Sequence, residues 1–131
     1  MLKVKDWMVD LLVFVDPDTT VLEALQLMRR RYIHSLLVSK TEKSPEYGII
    51  TSTDICDRII AEERNPAKTK VCEIMHTPIF TIHEDRSLID CVKLMKEKNI
   101  HHMPVVNAKN ELVGFISPTD MLFVAETLGR A

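Results

Sequence analysis

The chain has 131 residues, with 17 Lys+Arg against 19 Asp+Glu, 46% hydrophobic and 27% charged residues, the profile of a soluble globular domain able to bury a core unaided. Its net charge of -2 excludes a global attraction to nucleic acid or to an anionic membrane. The longest apolar runs, Leu11 to Val15 and Met121 to Ala125, are five residues, far short of the about 20 that a spanning helix needs.

Taken in chain order, Lys3 to Met8 reads as a short helical turn and Leu12 to Val15, bounded by turn residues, as a strand. Thr20-Val21-Leu22-Glu23 is an S/T-x-x-E capping box that starts a helix. Val21, Leu25 and Met28 recur at i, i+4 and i+7 and predict an apolar stripe against a sheet. Arg29, Arg30 and Arg31 crowd the last turn, where cations complement the helix dipole. Ser35 to Ser39 and Tyr47 to Thr51 follow as two strands close enough for a hairpin, then a helix over Thr53 to Glu62. Glu63 to Thr69, with Asn65-Pro66, reads as a linker.

The same order then recurs. Lys70 to Met75 is a helical turn, Ile79 to Ile82 a strand, and Ser87-Leu88-Ile89-Asp90 a looser capping box whose helix carries Leu88, Val92 and Met95. Met103 to Asn107 and Leu112 to Ser117 are strands, and Pro118 to Thr127 a closing helix. Residues 4–38 laid over 71–105 agree at Val4/Val71, Met8/Met75, Asp18/Asp85, Leu27/Leu94, Met28/Met95, Ile33/Ile100, His34/His101 and Val38/Val105. One residue out of step, Gly48-Ile49-Ile50-Thr51-Ser52-Thr53-Asp54 lies over Gly114-Phe115-Ile116-Ser117-Pro118-Thr119-Asp120. The chain is therefore an internal duplication of a β-α-β-β-α unit, a mixed α/β fold of the α+β kind. Repeat 1 spans residues 1–64 and repeat 2 residues 65–131. A half of about 60 residues has a marginal core by itself, so the expectation is two copies packed through their sheets about a pseudo-twofold axis.

Each Gly-h-h-[Thr/Ser] carries a strand into a helix start, with Ser117 suited to the N-cap and Pro118 to the first helical position. Such a start offers unpaired N–H donors to a phosphate, and Asp54 and Asp120, three residues on, can accept hydrogen bonds from a ribose diol. The same [Ser/Thr]-x-x-Asp spacing also serves a plain helix cap, and the two roles can share one residue. Gly48 and Gly114 are expected to leave room for close backbone approach.

Two tandem copies of Val-x-[Asp/Glu]-x-Met, a capped amphipathic helix, Ile-His-x-x-x-Val and Gly-h-h-[Thr/Ser]-x-Thr-Asp together resemble a cystathionine β-synthase (CBS) domain pair, or Bateman module, over Val4 to about Thr127. The resemblance implies a stand-alone, non-catalytic regulatory module. Such modules bind adenosine-containing ligands (AMP, ADP, ATP, S-adenosylmethionine, sometimes NAD) in clefts between repeats, often as homodimers of pairs. It further implies two composite sites. One combines Thr51, Thr53 and Asp54 with Ile79, His101 and His102; the other combines Ser117, Thr119 and Asp120 with Leu12, His34 and Ser35. Several nucleotide-binding relatives carry Arg where this chain has His102 and Ser35, and a neutral imidazole is a weaker phosphate partner than a guanidinium. The alternative is an interaction module that dimerises and binds no small molecule, through the apolar residues Ile55, Ile59, Ile60, Met121, Leu122, Val124 and Ala125.

Catalysis is not expected, since the chain lacks H-E-x-x-H, a Walker loop, G-x-G-x-x-G and a Ser-His-Asp order. Cys56, Cys72 and Cys91 form no C-x-x-C, so neither a disulfide framework nor a metal site is expected. The first residues show no secretory h-region, and a cytoplasmic setting fits. No cofactor is required by any motif.

Overall fold

A computed structural model describes residues 2–130. Its elements are α1 (Val4–Trp7), β1 (Phe14–Val15), α2 (Val21–Arg31), β2 (Ser35–Val38), β3 (Gly48–Thr51), α3 (Ser52–Ile55), β4 (Ile82–His83), α4 (Leu88–Lys98), β5 (Met103–Val106), β6 (Leu112–Ile116) and α5 (Pro118–Gly129). Short 3-10 turns lie at Pro66–Lys68 and Val71–Glu73, and a π turn at Cys56–Ile60. The fold is mixed α/β with two three-stranded sheets. The opening strands are shorter than expected, because only two residues of each reach a neighbouring strand.

The chain divides into two compact units, residues 13–79 and residues 2–12 with 80–130. This division differs from that of the sequence repeats. The leading segment of repeat 1 packs with the body of repeat 2, and the leading segment of repeat 2 packs with the body of repeat 1.

In the 13–79 unit β1 runs parallel to β2, with Phe14 opposite Leu37, and β2 antiparallel to β3, with Ser35 opposite Thr51. A parallel pair needs a crossover, and α2 supplies it. The Thr20 hydroxyl accepts from Glu23 N at 3.1 Å, but Glu23 returns to that hydroxyl rather than to the Thr20 N–H, so only half of the expected capping box forms. α2 ends on Tyr32 in the left-handed region, whose neighbour Ile33 donates to the Met28 carbonyl, closing the helix in the manner of a Schellman turn. The buried stripe is Val21, Ala24 and Met28, with Leu25 only half-buried. Ala24 lies one position from the expected residue because a small side chain lets the helix lie close on Leu36, Val38 and Ile50 of the sheet. The segment 69–71 runs antiparallel past 19–21 (Val21 N to Thr69 O 2.8 Å, Val71 N to Thr19 O 2.8 Å), and Val71 and Ile74 complete this core. Glu73 anchors the segment. It accepts from Lys70 N and from Arg64 at 2.7 Å each, and these contacts, the Lys70 N–H first, hold its carboxyl below the usual range.

The other unit repeats the plan. β4 runs parallel to β5 and β5 antiparallel to β6, with Met103 opposite Ile116 and an irregularity between Val105 and Val106. α4 presents Leu88, Cys91 and Met95, Cys91 standing where Ala24 stands in α2, and closes on Asn99 as α2 closes on Tyr32. Burial pushes the Cys91 thiol up to about 11, so it stays protonated and acts as a small core residue. Here the first residues of the chain complete the core. Leu88 N donates to Leu2 O at 3.0 Å, Val4 N to Arg86 O at 2.9 Å, and Val4 is buried among Leu88, Cys91, Met103 and Ile116.

The apolar residues expected to form one dimer surface are divided by the structure. Ile59 and Val124 are buried, while Ile55 and Met121 pack half-buried against their cores. Ile60 is 69% and Leu122 72% exposed, joined by Phe123 and Leu128, which the sequence reading did not single out. The π turn at Cys56–Ile60, where Ala61 N bonds the Cys56 carbonyl at 3.0 Å, breaks the regular period from which the face of that helix was read.

Candidate functional site

In the 13–79 unit the strand β3 runs directly into α3, and the turn between them gathers the predicted residues. Asp54 is 5% exposed. Its Oδ2 accepts from Thr51 N at 2.8 Å and from the Thr51 hydroxyl at 3.0 Å, while Asp54 N donates back to Thr51 Oγ1 at 3.3 Å. Its other oxygen, Oδ1, lies 2.6 Å from His76 Nε2. A carboxylate only accepts, so Nε2 carries the proton of this bond. Ser52 N donates to the His34 carbonyl at 2.9 Å, and Ser35 faces Thr51 across the strand pair. His34, Ser35, Thr51 and Asp54 thus surround one strand-to-helix turn, with Thr53 exposed beside them. Ile79 is half-buried at the end of this unit.

The turn from β6 into α5 has the same chemistry. Ser117 N and the Ser117 hydroxyl both donate to Asp120 Oδ2 at 3.0 Å, with Pro118 in the first helical position. The pairing of Met103 with Ile116 brings the segment of His101 and His102 beside Ser117; His101 is exposed and His102 half-buried. Thr119 is exposed and Leu12 half-buried. Asp120 opens onto a cleft of about 370 Å³ walled by Trp7, Met8, Val9 and Phe123, with Arg130 beyond the last turn of α5. Arg130 is held by an ion pair with Glu126.

Both glycines admit a close backbone approach, as expected, and what approaches is the chain's own backbone together with a methionine side chain. A Cβ on Gly48 would come 2.5 Å from Met75 Sδ and 3.3 Å from His76 O, and one on Gly114 would come 2.7 Å from Val9 O and 2.8 Å from Met8 Sδ. The space they leave is filled by the chain's own leading segments. These are bridged to the strands by Ile49 N to His76 O (3.0 Å) in one unit and Phe115 N to Val9 O (2.8 Å) in the other.

His76, which bonds Asp54, and Trp7 and Phe123, which line the cleft with Asp120, are candidate-site neighbours that the sequence reading missed. The available signal was positional: His76 follows the motif methionine Met75 just as Val9 follows Met8. Among the described residues no group of three or more His, Cys, Asp or Glu could hold a metal ion, and no helix is long and apolar enough to cross a membrane.

Comparison with known proteins bears on the family and the fold. The family model described as CBS domain matches residues 4–61 and again 71–126. An uncharacterised protein of Methanopyrus kandleri is 32% identical over 108 residues, which cover 82% of this chain and 55% of that protein, so the chain spans about half of this curated relative. Among solved structures, a hexameric CBS-CP12 protein from bloom-forming cyanobacteria aligns with a TM-score of 0.86 at 28% identity, over 94% of this chain and 70% of that one. A CBS domain pair in complex with 5′-methylthioadenosine and S-adenosyl-L-methionine aligns with a TM-score of 0.82 at 26% identity, over 97% and 98% of the two chains.

Proposed function

Because this chain belongs to the CBS domain family and carries the domain twice, we propose that it is a non-catalytic regulatory module whose ligand is an adenosine-containing small molecule: AMP, ADP, ATP or S-adenosylmethionine. The observation that carries the reading is the duplicated strand-to-helix turn, in which Thr51 with Asp54 and Ser117 with Asp120 repeat one arrangement of hydroxyl, backbone N–H and carboxylate. The carboxylates would take the ribose diol, and the helix starts would favour a phosphate or carboxylate of the ligand. A related pair in complex with 5′-methylthioadenosine and S-adenosylmethionine supports the adenosine class. Such a ligand regulates only by binding one conformational state better than another. Exposed thiols at Cys56 and Cys72 suit a reducing, cytoplasmic setting.

Thermal unfolding with AMP, ADP, ATP and S-adenosylmethionine tests this. A ligand at 100 times its Kd stabilises by about 2.7 kcal/mol, a rise in Tm on the order of 5–10 °C. No shift with any of the four at millimolar concentration sinks the proposal.

A second reading rests on α5, whose exposed Leu122, Phe123 and Leu128 form more apolar surface than a free helix commonly shows. On that reading the chain is a self-association module and forms a homodimer. Light scattering should then report a dimer that Phe123→Glu converts to a monomer; a wild-type monomer at all concentrations rejects it.

A further inference from the structure

The duplication puts two chemically similar turns in one chain, and the residue that follows each motif methionine distinguishes them. His76 and Val9 occupy equivalent places. Each forms a two-way backbone bridge to the residue after the site glycine: His76 N donates to Ile49 O at 2.9 Å and Ile49 N to His76 O at 3.0 Å, while Val9 N donates to Phe115 O at 2.9 Å and Phe115 N to Val9 O at 2.8 Å. The backbone is therefore the same in both, and the side chain is the variable.

At residue 76 the imidazole reaches Asp54 Oδ1 at 2.6 Å, while Thr51 occupies Oδ2. Both oxygens of Asp54 are engaged within its own unit and the residue is buried. At residue 9 the valine side chain has no polar atom to offer Asp120, and its backbone N–H and C=O are committed to Phe115. Asp120 is half-buried and lines a cleft whose apolar side is Trp7, Met8, Val9 and Phe123 and whose polar side is Asp6, Glu126, Thr127 and Arg130, apolar surface with polar groups beside it as small-molecule sites have.

We propose that the two turns are unequal as ribose sites and that His76 makes them so. It is a positioning residue that holds the Asp54 carboxylate against its own helix, leaving Asp120 as the carboxylate that receives the ribose diol of an adenosine ligand. The inference rests on the adenosine reading given above. A ligand approaching Asp54 must displace a short charge-assisted hydrogen bond, which is among the stronger ones. A ligand approaching Asp120 meets no such competitor from residue 9.

Calorimetric titration of the full chain with AMP, and separately with S-adenosylmethionine, tests the inequality. Wild-type protein should bind one equivalent per chain, and Asp120→Asn should weaken that binding at least tenfold. His76→Val, which copies the residue of the other repeat, should add a second equivalent. His76→Gln, whose amide can still donate to Asp54, should return the count to one. Two equal sites in wild-type protein, or an unchanged count in His76→Val, overturns the proposal while leaving the adenosine reading intact. Binding of neither probe by wild type or His76→Val overturns the ribose role of both carboxylates, the inequality included. Nitrogen-15 NMR supplies a readout free of ligand. The His76 ring should be held with its proton on Nε2 in wild type and lose that preference in Asp54→Asn. An identical mixture of tautomers in both proteins removes the hold itself.

Discussion

Val4→Asp should cost the unit formed by residues 2–12 and 80–130 most of its stability. Val4 is wholly buried among Leu88, Cys91, Met103 and Ile116, and among the described residues no basic side chain is buried in that core. An unpaired carboxylate there costs about 3–5 kcal/mol, a large part of the about 5–15 kcal/mol that holds a typical domain together. Val4→Ala, which only removes methyl groups, should cost about 2 kcal/mol. Urea unfolding followed by Trp7 fluorescence reads the effect in the right place, because Trp7 is the single tryptophan and packs against the same core. A midpoint for Val4→Asp equal to that of wild type would show that the first segment is dispensable to this core.

Asp54→Ala should be the more damaging of the two aspartate substitutions, by about 2–4 kcal/mol against about 1 kcal/mol for Asp120→Ala. Both remove a helix cap, worth about 1 kcal/mol. Asp54→Ala also strips the partner from His76 and removes part-buried hydrogen bonds to a carboxylate that is itself buried. Bonds to a charged group contribute about 1.5–3 kcal/mol each when desolvated, and the exposure of the His76 side chain puts its own bond at or below the lower end. Asp120 is half-buried, and among the described residues its carboxylate is bonded by Ser117. Denaturant titration of the two variants side by side gives the comparison. Equal losses would mean that the His76 contact contributes nothing to the folded state.

These two residues also show what was legible in advance. Val4 and Val71 are identical across the repeats, and the duplication, the order of elements and the family resemblance all follow from such matches. Which body each valine enters does not follow, because a repeat alignment compares residues without stating what they touch. The helix stripes were legible to within one position. Ala24 and Cys91 replaced Leu25 and Val92 because closeness of packing, which no period encodes, decides which neighbour faces the sheet. The turns bearing Thr51 with Asp54 and Ser117 with Asp120 were found as motifs, but the same spacing suits a cap or a ligand, and the structure shows the cap formed in both. His76 was passed over because, in sequence, it is one polar residue beside a methionine.

By itself the sequence determined the mixed α/β class, the duplication, the capped helices and the places where glycine and aspartate meet a helix start, since these depend on short-range spacing and side-chain chemistry. The tertiary structure decided that the leading segments are exchanged between the two bodies, that Met75 and Met8 fill the space left by Gly48 and Gly114, and that His76 joins Asp54. Each of these depends on residues that are distant along the chain and meet only after burial of the cores has brought them into contact.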